Sequence, residues 1–401
     1  MNSCINGKID QVDISVAKPK VVRVVTASYV VPWHLGNTLR RMPADFDVTV
    51  VGQDVSSNQD AYPDVRWVDI DLNRKISLFA DLRSLWALCR FFRAHRPDIV
   101  HSIMPKAGLL AALAGFICSV PIRVHTFTGQ TWVNRKPTPR FILYMLDRAI
   151  NALNTVCLTD SPSQSEFLRQ HNISNHGKPL PVLGRGSLSG VDISRFDCLD
   201  QAGCGEELRG ALGISHQEFV FAFIARKSRD KGAFDIIQAF SRVVHSHPEA
   251  RLLFVGPDES AGELAALKAT TPRLFMNVSD VGKSNNHWRY LSLCNVLCLP
   301  SYREGFGSIV IDAAAAGVPT IGSNIVGLVD SIEDGNTGIL IHAGDIDRLA
   351  EAMLLMLERP GLCRQLGVAA RARAEHFFAA DKLYASLKDF YHEQLAAKGR
   401  H

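Results

Sequence analysis

Short apolar runs alternate with helical patterns along the first 160 residues of this 401-residue chain. Apolar runs that predict strands occur at 21–26, 47–51, 99–103, 122–127 and 155–159. Apolar residues recur at helical spacing at 33–42, 76–95, 107–118 and 140–153. The longest of these patterns predicts an amphipathic helix whose apolar side chains lie on or near one face, namely Leu78, Leu82, Leu85, Leu88, Phe91 and Phe92. Strands that alternate with helices predict a parallel, doubly wound α/β sheet.

The alternation stops at 177–190, a segment rich in glycine, proline and serine, and then restarts. Further strands are predicted at 219–225, 251–255, 295–299, 320–323 and 338–342. Because a chain of this length exceeds one ordinary hydrophobic core, we predict two Rossmann-like domains, 21–184 and 185–375. A flexible extension, 1–20, precedes them, and a helix within 376–401 packs back on the first domain. Ligands of such sheets bind at the C-terminal strand ends, so the cleft between the domains is the expected site.

The overall composition is that of a soluble globular protein, with 47% apolar and 21% charged residues. The longest run of low polarity, 107–121, is shorter than the roughly 20 residues that span a bilayer. Residues 1–20 lack the charged-then-apolar pattern of a signal peptide. Nine scattered cysteines form no CxxC pair, which favours free thiols over a metal site. These features predict a protein of the reducing cytoplasm.

Charge is distributed unevenly along the chain, since residues 1–180 carry a net charge of +7 and residues 181–401 a net charge of −3. A basic first half suggests an anionic partner such as a phospholipid surface or a lipid phosphate, although chance distribution explains the asymmetry equally well. Cations and aromatic residues also mix at 132–144. This segment fits either a membrane interface or an ordinary exposed loop before a helix.

The most informative motif spans 300–319 and reads as a strand end, a glycine-rich turn and an alanine-rich helix. Glu304 lies in the turn, and Asp312 follows eight positions later on the helix. The glycines let backbone amides approach a ligand, and the helix N-terminus offers free N–H groups to an anion. An acid beside such a turn suggests a ligand with both phosphates and hydroxyls, such as a nucleotide sugar.

A second motif is the cationic turn that follows the strand at 219–225. It contains Arg226, Lys227, Arg229 and Lys231 before the next helical pattern. Arginine binds phosphate oxygens with its planar fork and lysine acts as a point charge. Cations at a strand's C-terminal end suit a diphosphate, and a solvated basic turn is the simpler alternative.

With these motifs the chain resembles family 4 glycosyltransferases of the GT-B fold, over nearly its whole length from residue 21 to about residue 391. The strongest element, 304–317, is similar to the family's E-x7-E signature, and Arg226 with Lys231 is similar to its phosphate-binding pair. Weaker similarities follow the family's order at 97–108, 186–196, 326–330 and 334–338. The first of these segments is common in bacterial members that build surface polysaccharides.

The resemblance implies roles for residues of the second domain. Glu304 would contact hydroxyls of the donor sugar, while Arg226 and Lys231 would neutralise the diphosphate. The backbone amides of the turn would hold the sugar and the distal phosphate, namely those of Gly305, Phe306, Gly307 and Ser308. Asp312 stands where the family usually has a glutamate that binds ribose hydroxyls. Since it is one methylene shorter, it either reaches the ribose through a small helix shift or a water, or it is an ordinary helix acid.

The resemblance places the acceptor on the first domain. The loop 27–36, which ends at Gly36, approaches the phosphates and the acceptor in the family. Members often carry a histidine before a glycine after the fourth strand, where this chain has Thr128. His125 lies three residues earlier. We therefore predict His125 as a catalytic residue, with a structural histidine as the alternative.

The family's chemistry retains the anomeric configuration. The resemblance suggests a front-face mechanism, in which the leaving phosphate itself deprotonates the acceptor hydroxyl. The protein then positions the reactants and stabilises the charge on the departing diphosphate. No metal or other cofactor is expected, because the Asp-x-Asp matches at 45–47, 69–71 and 345–347 lack a fitting context.

The sequence thus predicts a retaining glycosyltransferase that moves a sugar from a nucleotide sugar, by preference a UDP-sugar, to a lipid-linked oligosaccharide or other glycan of a surface polysaccharide. Its expected partners are the donor, a glycan or polyprenyl-diphosphate acceptor and an anionic membrane, with no nucleic acid. The enzyme would lie peripherally at the inner face of the plasma membrane. A nucleotide-sugar 2-epimerase of the same fold and a non-catalytic nucleotide-sugar-binding protein are the alternatives. An NAD-dependent oxidoreductase is disfavoured, because no G-x-G-x-x-G follows 21–26.

Overall fold

The computed structural model describes residues 17–72, 77–175, 177–201, 204–284 and 286–399. Within them, twelve strands form two six-stranded sheets. The strands of the first sheet are β1 Lys20–Ala27, β2 Asp47–Gln53, β3 Arg66–Asp69, β4 Ile99–Ile103, β5 Ile122–Phe127 and β6 Val156–Thr159. The strands of the second sheet are β7 Phe219–Ile224, β8 Ala250–Val255, β9 Val278–Gly282, β10 Val296–Leu299, β11 Thr320–Ser323 and β12 Gly338–Ile341.

Helices cover both faces of each sheet. The helices before residue 190 are α1 Gly36–Leu39, α2 Leu78–His95, α3 Pro105–Ile117, α4 Pro137–Leu153 and α5 Pro162–Gln170. The later helices are α6 Ser194–Gln201, α7 Cys204–Leu212, α8 Ala233–Ser246, α9 Glu263–Thr270, α10 Ser308–Ala315, α11 Leu328–Ser331, α12 Ile346–Glu358, α13 Pro360–Arg373 and α14 Ala380–Ala397. Short 3-10 helices occur at Met42–Ala44, Val55–Ala61, Arg229–Lys231, Pro272–Phe275 and His287–Leu293, and π-helical turns at Val31–Leu35 and Ala374–Phe378.

Both sheets have the same topology, which confirms the predicted fold class. The spatial order is β3-β2-β1-β4-β5-β6 in the first sheet and β9-β8-β7-β10-β11-β12 in the second, and every strand pair is parallel. The central strand β1 is buried on both faces, because Val21 and Val25 point into one core cluster and Val22 and Val24 into another. A strand buried on both faces reads as a nearly continuous apolar run. In β1 only the buried Arg23 interrupts the run 21–25, and this is why the sequence reveals the strand.

The helix starts follow local sequence rules. Proline occupies the first turn of α3, α4 and α5, where its missing N–H costs no hydrogen bond. Ser161 caps α5, since its hydroxyl accepts a hydrogen bond from the Gln164 amide at 3.3 Å.

The C-terminal helix α14 belongs to the core of the first domain. Its apolar side chains join the cluster around β1, namely Leu387, Phe390, Tyr391 and Leu395. The Arg23 guanidinium donates a hydrogen bond to the Tyr391 hydroxyl at 3.1 Å, and His101 Nδ1 lies 2.7 Å from the same oxygen. The chain crosses back beside the interdomain linker, where Val191 exchanges backbone hydrogen bonds of 2.8 Å with Phe378 and Ala380.

Several elements differ from the sequence expectations. The helix expected at 33–42 is a π-helical turn followed by the four-residue α1 and a 3-10 turn. The edge strands β3 and β9 were not expected. On α2, Leu78 and Leu82 are exposed, whereas Leu88 and Phe92 of the same apolar set are buried. Of the expected extension 1–20, residues 1–16 lie outside the described residues, and β1 begins at Lys20.

Candidate active site

Two loops of the second domain lie side by side at the C-terminal edge of its sheet. The cationic turn follows β7 and the 300–307 turn follows β10. Because β7 and β10 are hydrogen-bonded neighbours, their following loops also touch: the Tyr302 amide donates a hydrogen bond to the Asp230 carbonyl at 2.9 Å. The two sequence motifs, 70 residues apart, therefore form one site.

Lys231 and Glu304 form an ion pair at the centre of this site. The Lys231 Nζ lies 2.6 Å from Glu304 Oε1, and the two side chains are 14% and 13% exposed. The Ser301 hydroxyl donates a second hydrogen bond to the same carboxylate oxygen at 2.9 Å. A largely desolvated pair of this kind fixes both side chains in one geometry. The arrangement places a carboxylate that can accept hydrogen bonds from hydroxyl groups directly beside a cation.

Arg226 lies in a second charged network next to this pair. Its guanidinium is hydrogen-bonded to Glu259, and it lies 3.6 Å from the Asp230 carboxylate, which also contacts Arg303 at 3.3 Å. Burial would raise the pKa of Asp230, but the Ser228 hydroxyl and the neighbouring cations hold it below its ordinary value. The cations that were predicted to bind a diphosphate are thus paired with acids in this structure. A diphosphate would have to compete with those acids.

The turn after Glu304 is packed directly against the first domain. A Cβ on Gly305 would clash with the Asp160 carboxylate and lie 2.6 Å from the Gly129 nitrogen. A Cβ on Gly129 would lie 2.7 Å from the Glu304 carbonyl carbon. The Ser161 hydroxyl donates a hydrogen bond of 2.8 Å to the Gly305 carbonyl. Glycine at these two positions therefore serves the close approach of the domains.

The remaining residues of the turn offer their backbone. The Phe306 side chain is buried and packs edge-on against Phe378, with ring centroids 5.2 Å apart. Gly307 has a φ of +79°, and a Cβ there would lie 2.6 Å from the Leu328 side chain. Ser308 is the first residue of α10. The Phe306 ring belongs to the core, so its predicted ligand contact falls to the main chain.

Asp312 lies on α10 beside His287, with 3.6 Å between Asp312 Oδ2 and His287 Nε2. The His287 ring in turn contacts Trp33 of the first domain, with ring centroids 5.4 Å apart. The buried Nδ1 of His287 has no hydrogen-bond partner within the described part of the chain. The second acid of the motif therefore lies beside a histidine of the second domain that contacts an aromatic ring of the first domain.

His34 extends from the loop after β1 toward the Lys231–Glu304 pair. Burial, together with the positive charge of Lys231, lowers the pKa of His34 to about 4, and the charge of Glu304 opposes the shift. His34 is therefore a neutral imidazole at physiological pH. Its Nδ1 is buried and has no partner among the described residues. His34 therefore places a nitrogen without a partner among the described residues in the cleft, near the ion pair.

The structure does not bring His125 to this group of residues. His125 lies on β5 inside the first domain, and its ring packs against α3, since a Cβ on Gly108 would clash with it. Its Nδ1 is 3.0 Å from the Ser102 hydroxyl. Burial lowers the pKa of His125 to about 3. Gly36 also lies inside the first domain, since a Cβ there would be 2.6 Å from the Tyr62 hydroxyl. Both residues contact neighbours of their own domain.

Asp160 is a buried carboxyl group at the contact between the domains. It follows β6, and its Oδ1 has no hydrogen-bond partner in the described regions. Burial raises its pKa well above the ordinary value, and the carboxylates of Glu304 and Asp330 add to the rise. The group is therefore held as a neutral carboxylic acid next to Gly305 over a wider pH range than an exposed aspartate.

Further contacts join the two domains around the site. The Ser163 amide donates a hydrogen bond to the Asp330 carboxylate at 2.9 Å, and the Gly327 amide donates one to the Ser163 hydroxyl at 2.8 Å. The Arg303 guanidinium donates to the Gly129 carbonyl at 2.8 Å. In this structure the cleft is closed at its floor by direct contacts, which hold the turn after Glu304 in place.

Sequence reasoning did not assign a role to Asp160, Gly129 or His287. Gly129 had a signal, because it follows Thr128 where the family has a glycine after its histidine, whereas His287 and Asp160 are isolated residues without a motif. Within the described residues no three His, Cys, Asp or Glu side chains cluster as metal ligands would. In the same residues, every helix is too short or too polar to cross a bilayer.

Both halves of the chain match models of glycosyltransferase families. The model described as "Glycosyl transferases group 1" matches residues 205–373, and the one described as "Glycosyl transferase 4-like domain" matches residues 30–179. These two matches cover the cationic turn, the Glu304 motif and most of the first domain. The similarity to glycosyltransferases therefore includes residues on both sides of the cleft.

Two sequence relatives and one solved structure illustrate the likeness. The capsular polysaccharide biosynthesis glycosyltransferase CapM of Staphylococcus aureus is 29% identical over 380 residues, or 94% of this chain and 97% of that protein. An Escherichia coli UDP-Gal:alpha-D-GlcNAc-diphosphoundecaprenol alpha-1,3-galactosyltransferase is 24% identical over 330 residues, or 82% of this chain and 83% of that protein. The Anabaena HepE structure in complex with UDP and glucose superposes with a TM-score of 0.75 at 18% identity, covering 94% of this chain and 100% of that one.

Proposed function

Because the chain belongs to family 4 of the GT-B glycosyltransferases, we propose that it transfers a sugar from a UDP-sugar to a lipid-linked oligosaccharide, with retention of the anomeric configuration. Its general activity is that of a glycosyltransferase of bacterial surface polysaccharide synthesis. The donor base, the acceptor and the stereochemistry are the proposed parts.

The observation that supports the proposal is the Lys231–Glu304 pair in the cleft. The Glu304 carboxylate accepts hydrogen bonds from hydroxyl groups of the donor sugar. Lys231, which is held beside it, binds the diphosphate together with Arg226, whose guanidinium leaves Glu259 as the phosphates arrive. The backbone amides at the start of α10 add the partial positive charge of a helix N-terminus.

The reaction needs little covalent chemistry from the protein. The acceptor oxygen forms a bond to the anomeric carbon on the face from which the diphosphate leaves, and the bond between that carbon and the phosphate oxygen breaks. The acceptor proton passes to the leaving phosphate. The charge that develops on the diphosphate is stabilised by the preorganised cations, which is the main contribution of such a site to the rate. No metal takes part in this scheme.

His34 adds a neutral imidazole on the first-domain side of the cleft. Its Nδ1, which has no partner in the described part of the chain, is suited to bind a hydroxyl of the acceptor or a phosphate oxygen of the donor. In this scheme His34, and not the predicted catalytic His125, is the histidine of the first domain that faces the cleft. His125 keeps the β5–α3 contact in place.

The preference for a UDP-sugar is supported by proteins that this chain resembles. The HepE structures contain UDP with glucose, or UDP-glucose, and the E. coli relative is named for UDP-Gal. In this chain the ribose would lie near Asp312, and the His287–Trp33 contact closes the cleft beside it. A shorter acid supported by a histidine replaces the longer glutamate of the family.

The proposed acceptor follows the same reasoning. The E. coli relative is named for a GlcNAc-diphosphoundecaprenol acceptor. We propose that this chain also uses a polyprenyl-diphosphate-linked acceptor. Such an acceptor is embedded in a bilayer while its sugar faces the aqueous phase. The enzyme would then work peripherally at the inner face of the plasma membrane. The glycosyltransferase relatives favour this activity over the 2-epimerase and over the non-catalytic binding protein.

A donor screen tests the proposal. We expect isothermal titration and thermal shift to detect UDP and UDP-sugars, while GDP- and ADP-sugars bind at least about tenfold more weakly. Lys231→Ala should abolish the UDP signal, and Arg348→Ala on the exposed face of α12 is the control that should not change it. If the folded protein binds none of these nucleotides, the proposal is wrong.

A further inference from the structure

We infer that the N-terminal halves of α2 and α4 form a docking surface for an anionic phospholipid bilayer, placed at the edge of the cleft. The inference deepens the proposed function and rests on it for the lipid-linked acceptor. Its own support is a set of exposed apolar side chains, their position beside the cleft, and the charge around them.

The apolar side chains of this docking surface are unusually exposed for a folded protein. On α2 they are Leu78, Phe79, Leu82 and Trp86, with exposed fractions between 63% and 91%. On α4 they are Phe141, Ile142 and Met145, each more than two-fifths exposed. Spacings of three and four residues put each set on one face of its helix. Exposed large apolar side chains grouped on one helix face, rather than scattered singly, mark an interaction site.

The sequence explains why these side chains are not in the core. The apolar stripe of α2 is longer, along the helix, than the part that contacts the sheet. Leu88 and Phe92 fill that contact in the C-terminal half of the helix. Leu78 and Leu82 extend the same stripe past the sheet's edge, where nothing within the described residues covers them. The surplus is confined to the half of the helix that lies nearer to the cleft.

Contacts between the helices align both sets along the same edge. Asp81 in the first turn of α2 pairs with Lys106 in the first turn of α3, at 2.6 Å. Leu109 of α3 packs in one cluster with Leu143 of α4. Helices of a parallel sheet begin at the C-terminal strand ends, so the N-terminal halves of α2, α3 and α4 line the rim of the cleft.

The loop before α4 connects this rim to the active site. It begins at Gly129, which touches Glu304, and it ends at Lys136, the N-cap of α4. The docking surface is therefore separated from the sugar-binding turn by one short loop. A bilayer on this surface would hold a polyprenyl chain while its diphosphate-linked sugar enters the cleft.

The charge around the apolar side chains selects an anionic partner. Exposed arginines flank both sets, namely Arg83 and Arg90 on α2 and Arg140 and Arg148 on α4. The acidic side chains of these helices do not balance them, since Asp81 is paired with Lys106 and Asp147 is buried against Trp132. Aromatic and aliphatic groups with arginines beside them fit the interface of an anionic membrane. Two copies of such a basic face would repel each other.

Vesicle co-sedimentation at low and high salt tests the inference on the full-length chain. Phosphatidylcholine vesicles that contain phosphatidylglycerol should bind the protein, and pure phosphatidylcholine should bind it much more weakly. Phe79→Ser with Leu82→Ser should lower the partition coefficient by about tenfold or more. The control pair, Phe116→Ser with Ile117→Ser, lies at the opposite end of α3 and is also at least half exposed, so it should bind like the wild type.

Two further readouts separate adsorption from unfolding and from loss of charge. Arg83→Gln and Arg140→Gln should each weaken vesicle binding roughly fivefold at low salt, and their effects should fade at high salt. The fluorescence of Trp86 should shift to the blue on vesicles, and Trp86→Phe should remove that shift. Unchanged melting temperatures would show that these exposed positions do not affect the fold.

Equal partitioning of the Phe79/Leu82 variant and the wild type would overturn the inference, as would binding that ignores phosphatidylglycerol. Concentration-dependent dimerisation that the same variant abolishes would assign the surface to a second copy instead. UDP binding distinguishes a failure of the docking surface from a failure of the proposed function. A protein that binds UDP and ignores vesicles disproves only the docking surface, whereas one that fails to bind UDP disproves the proposed function.

Discussion

The first and second domains share one strand order but contribute different groups to the cleft. The second domain supplies charges in pairs, Lys231 with Glu304 and Arg226 with Glu259. The first domain supplies backbone and neutral groups, such as Gly129 and His34. The comparison indicates that one topology serves two purposes here. In the proposed function the second domain recognises an anionic donor, and the first domain packs against the turn after Glu304 and shapes the space for an acceptor.

The outer faces of the two domains differ as well. The largest exposed apolar side chains of the first domain lie on its helices, with Phe79 91% exposed. In the second domain, within the described residues, the exposed large apolar side chains are scattered, namely Met276, Tyr302, Val329 and Val368. The difference is the expected one if only the first domain meets a lipid-linked acceptor.

The largest effect is expected from Lys231→Ala, because the second domain's role rests on its charges. Loss of one electrostatic stabiliser of a transition state costs about 10²–10³ in turnover. The remaining Glu304 carboxylate is also left buried without its cation, which destabilises the fold by about 3–5 kcal/mol. Transfer rates and thermal melts measure the two consequences separately.

The matched control for this variant is the pair of Arg251 and Glu218, which lies at the opposite, N-terminal edge of the second sheet. It has the same separation of 2.6 Å and similar burial. Arg251→Ala should lower the melting temperature and leave turnover of the folded protein unchanged. Equal losses of turnover in both variants would mean that Lys231 matters only for stability.

The first domain's contribution is tested by Gly129→Ala, with the next largest effect. The added methyl group would lie 2.7 Å from the Glu304 carbonyl carbon, so the turn must shift. A displacement of about 1 Å at a reacting group costs roughly 10² in rate. UDP affinity, which depends on the second domain, should fall much less. Gly361→Ala, with nothing within 4 Å of the added carbon, is the control for a glycine change.

A moderate effect is expected at Asp312. Asp312→Ala should weaken UDP binding by about tenfold, since it removes a charged hydrogen-bond acceptor, while Asp312→Glu should retain affinity within a factor of about three. Titration calorimetry with UDP measures both. Wild-type affinity in the alanine variant would show that the second acid does not contact the nucleotide, and the His287–Asp312 contact would then be purely structural.

The smallest effect is expected at Asp160 and concerns stability against pH. The folded protein holds the Asp160 proton to a higher pH than the unfolded chain does. The group therefore destabilises the fold increasingly as pH rises from the unfolded value toward the raised folded pKa. Asp160→Asn should raise the melting temperature more at neutral pH than at about pH 4. An equal gain at both pH values would contradict the buried neutral carboxyl.

The sequence was sufficient for the parts of the fold that are buried on both faces. β7 is a continuous apolar run, and the run 21–25 in β1 is interrupted only by the buried Arg23, so both strands can be identified without any partner. The edge strands β3 and β9 are half exposed and contain polar residues, as in Val278–Gly282, so their alternation is too weak to distinguish from a loop. In this chain, strands that are buried on both faces can be predicted from the sequence, whereas these half-exposed edge strands cannot.

For the site, local motifs were sufficient and distant contacts were not. The signals of Arg226, Lys231 and Glu304 come from turns that follow strands, and neighbouring strands bring them together. Asp160 reaches Gly305 across 145 positions of sequence. Such a contact depends on how the linker and the π-helical crossing at Ala374–Phe378 set one domain against the other, which no local pattern records.

The exposed half of α2 illustrates the opposite error. The helical periodicity correctly predicted one apolar face. A periodicity contains no information about the extent of the sheet under the helix, which decides how much of that face is buried. Leu88 is buried, whereas Leu78, ten positions earlier on the same face, lies beyond the sheet. Where the hydrophobic stripe is longer than the core, the excess is available for a partner.

The central claim is that the paired charges of the second domain, closed over by the first, transfer a sugar from a nucleotide donor to a lipid-linked acceptor. The most direct measurement is transfer of a labelled sugar from UDP-sugar to a polyprenyl-diphosphate-linked sugar, by wild type and by Glu304→Gln. We predict a glycolipid product with the donor's anomeric configuration, and a loss of about 10² or more in the variant. Wild-type rates in Glu304→Gln, or consumption of the donor without a glycolipid product, would contradict the account.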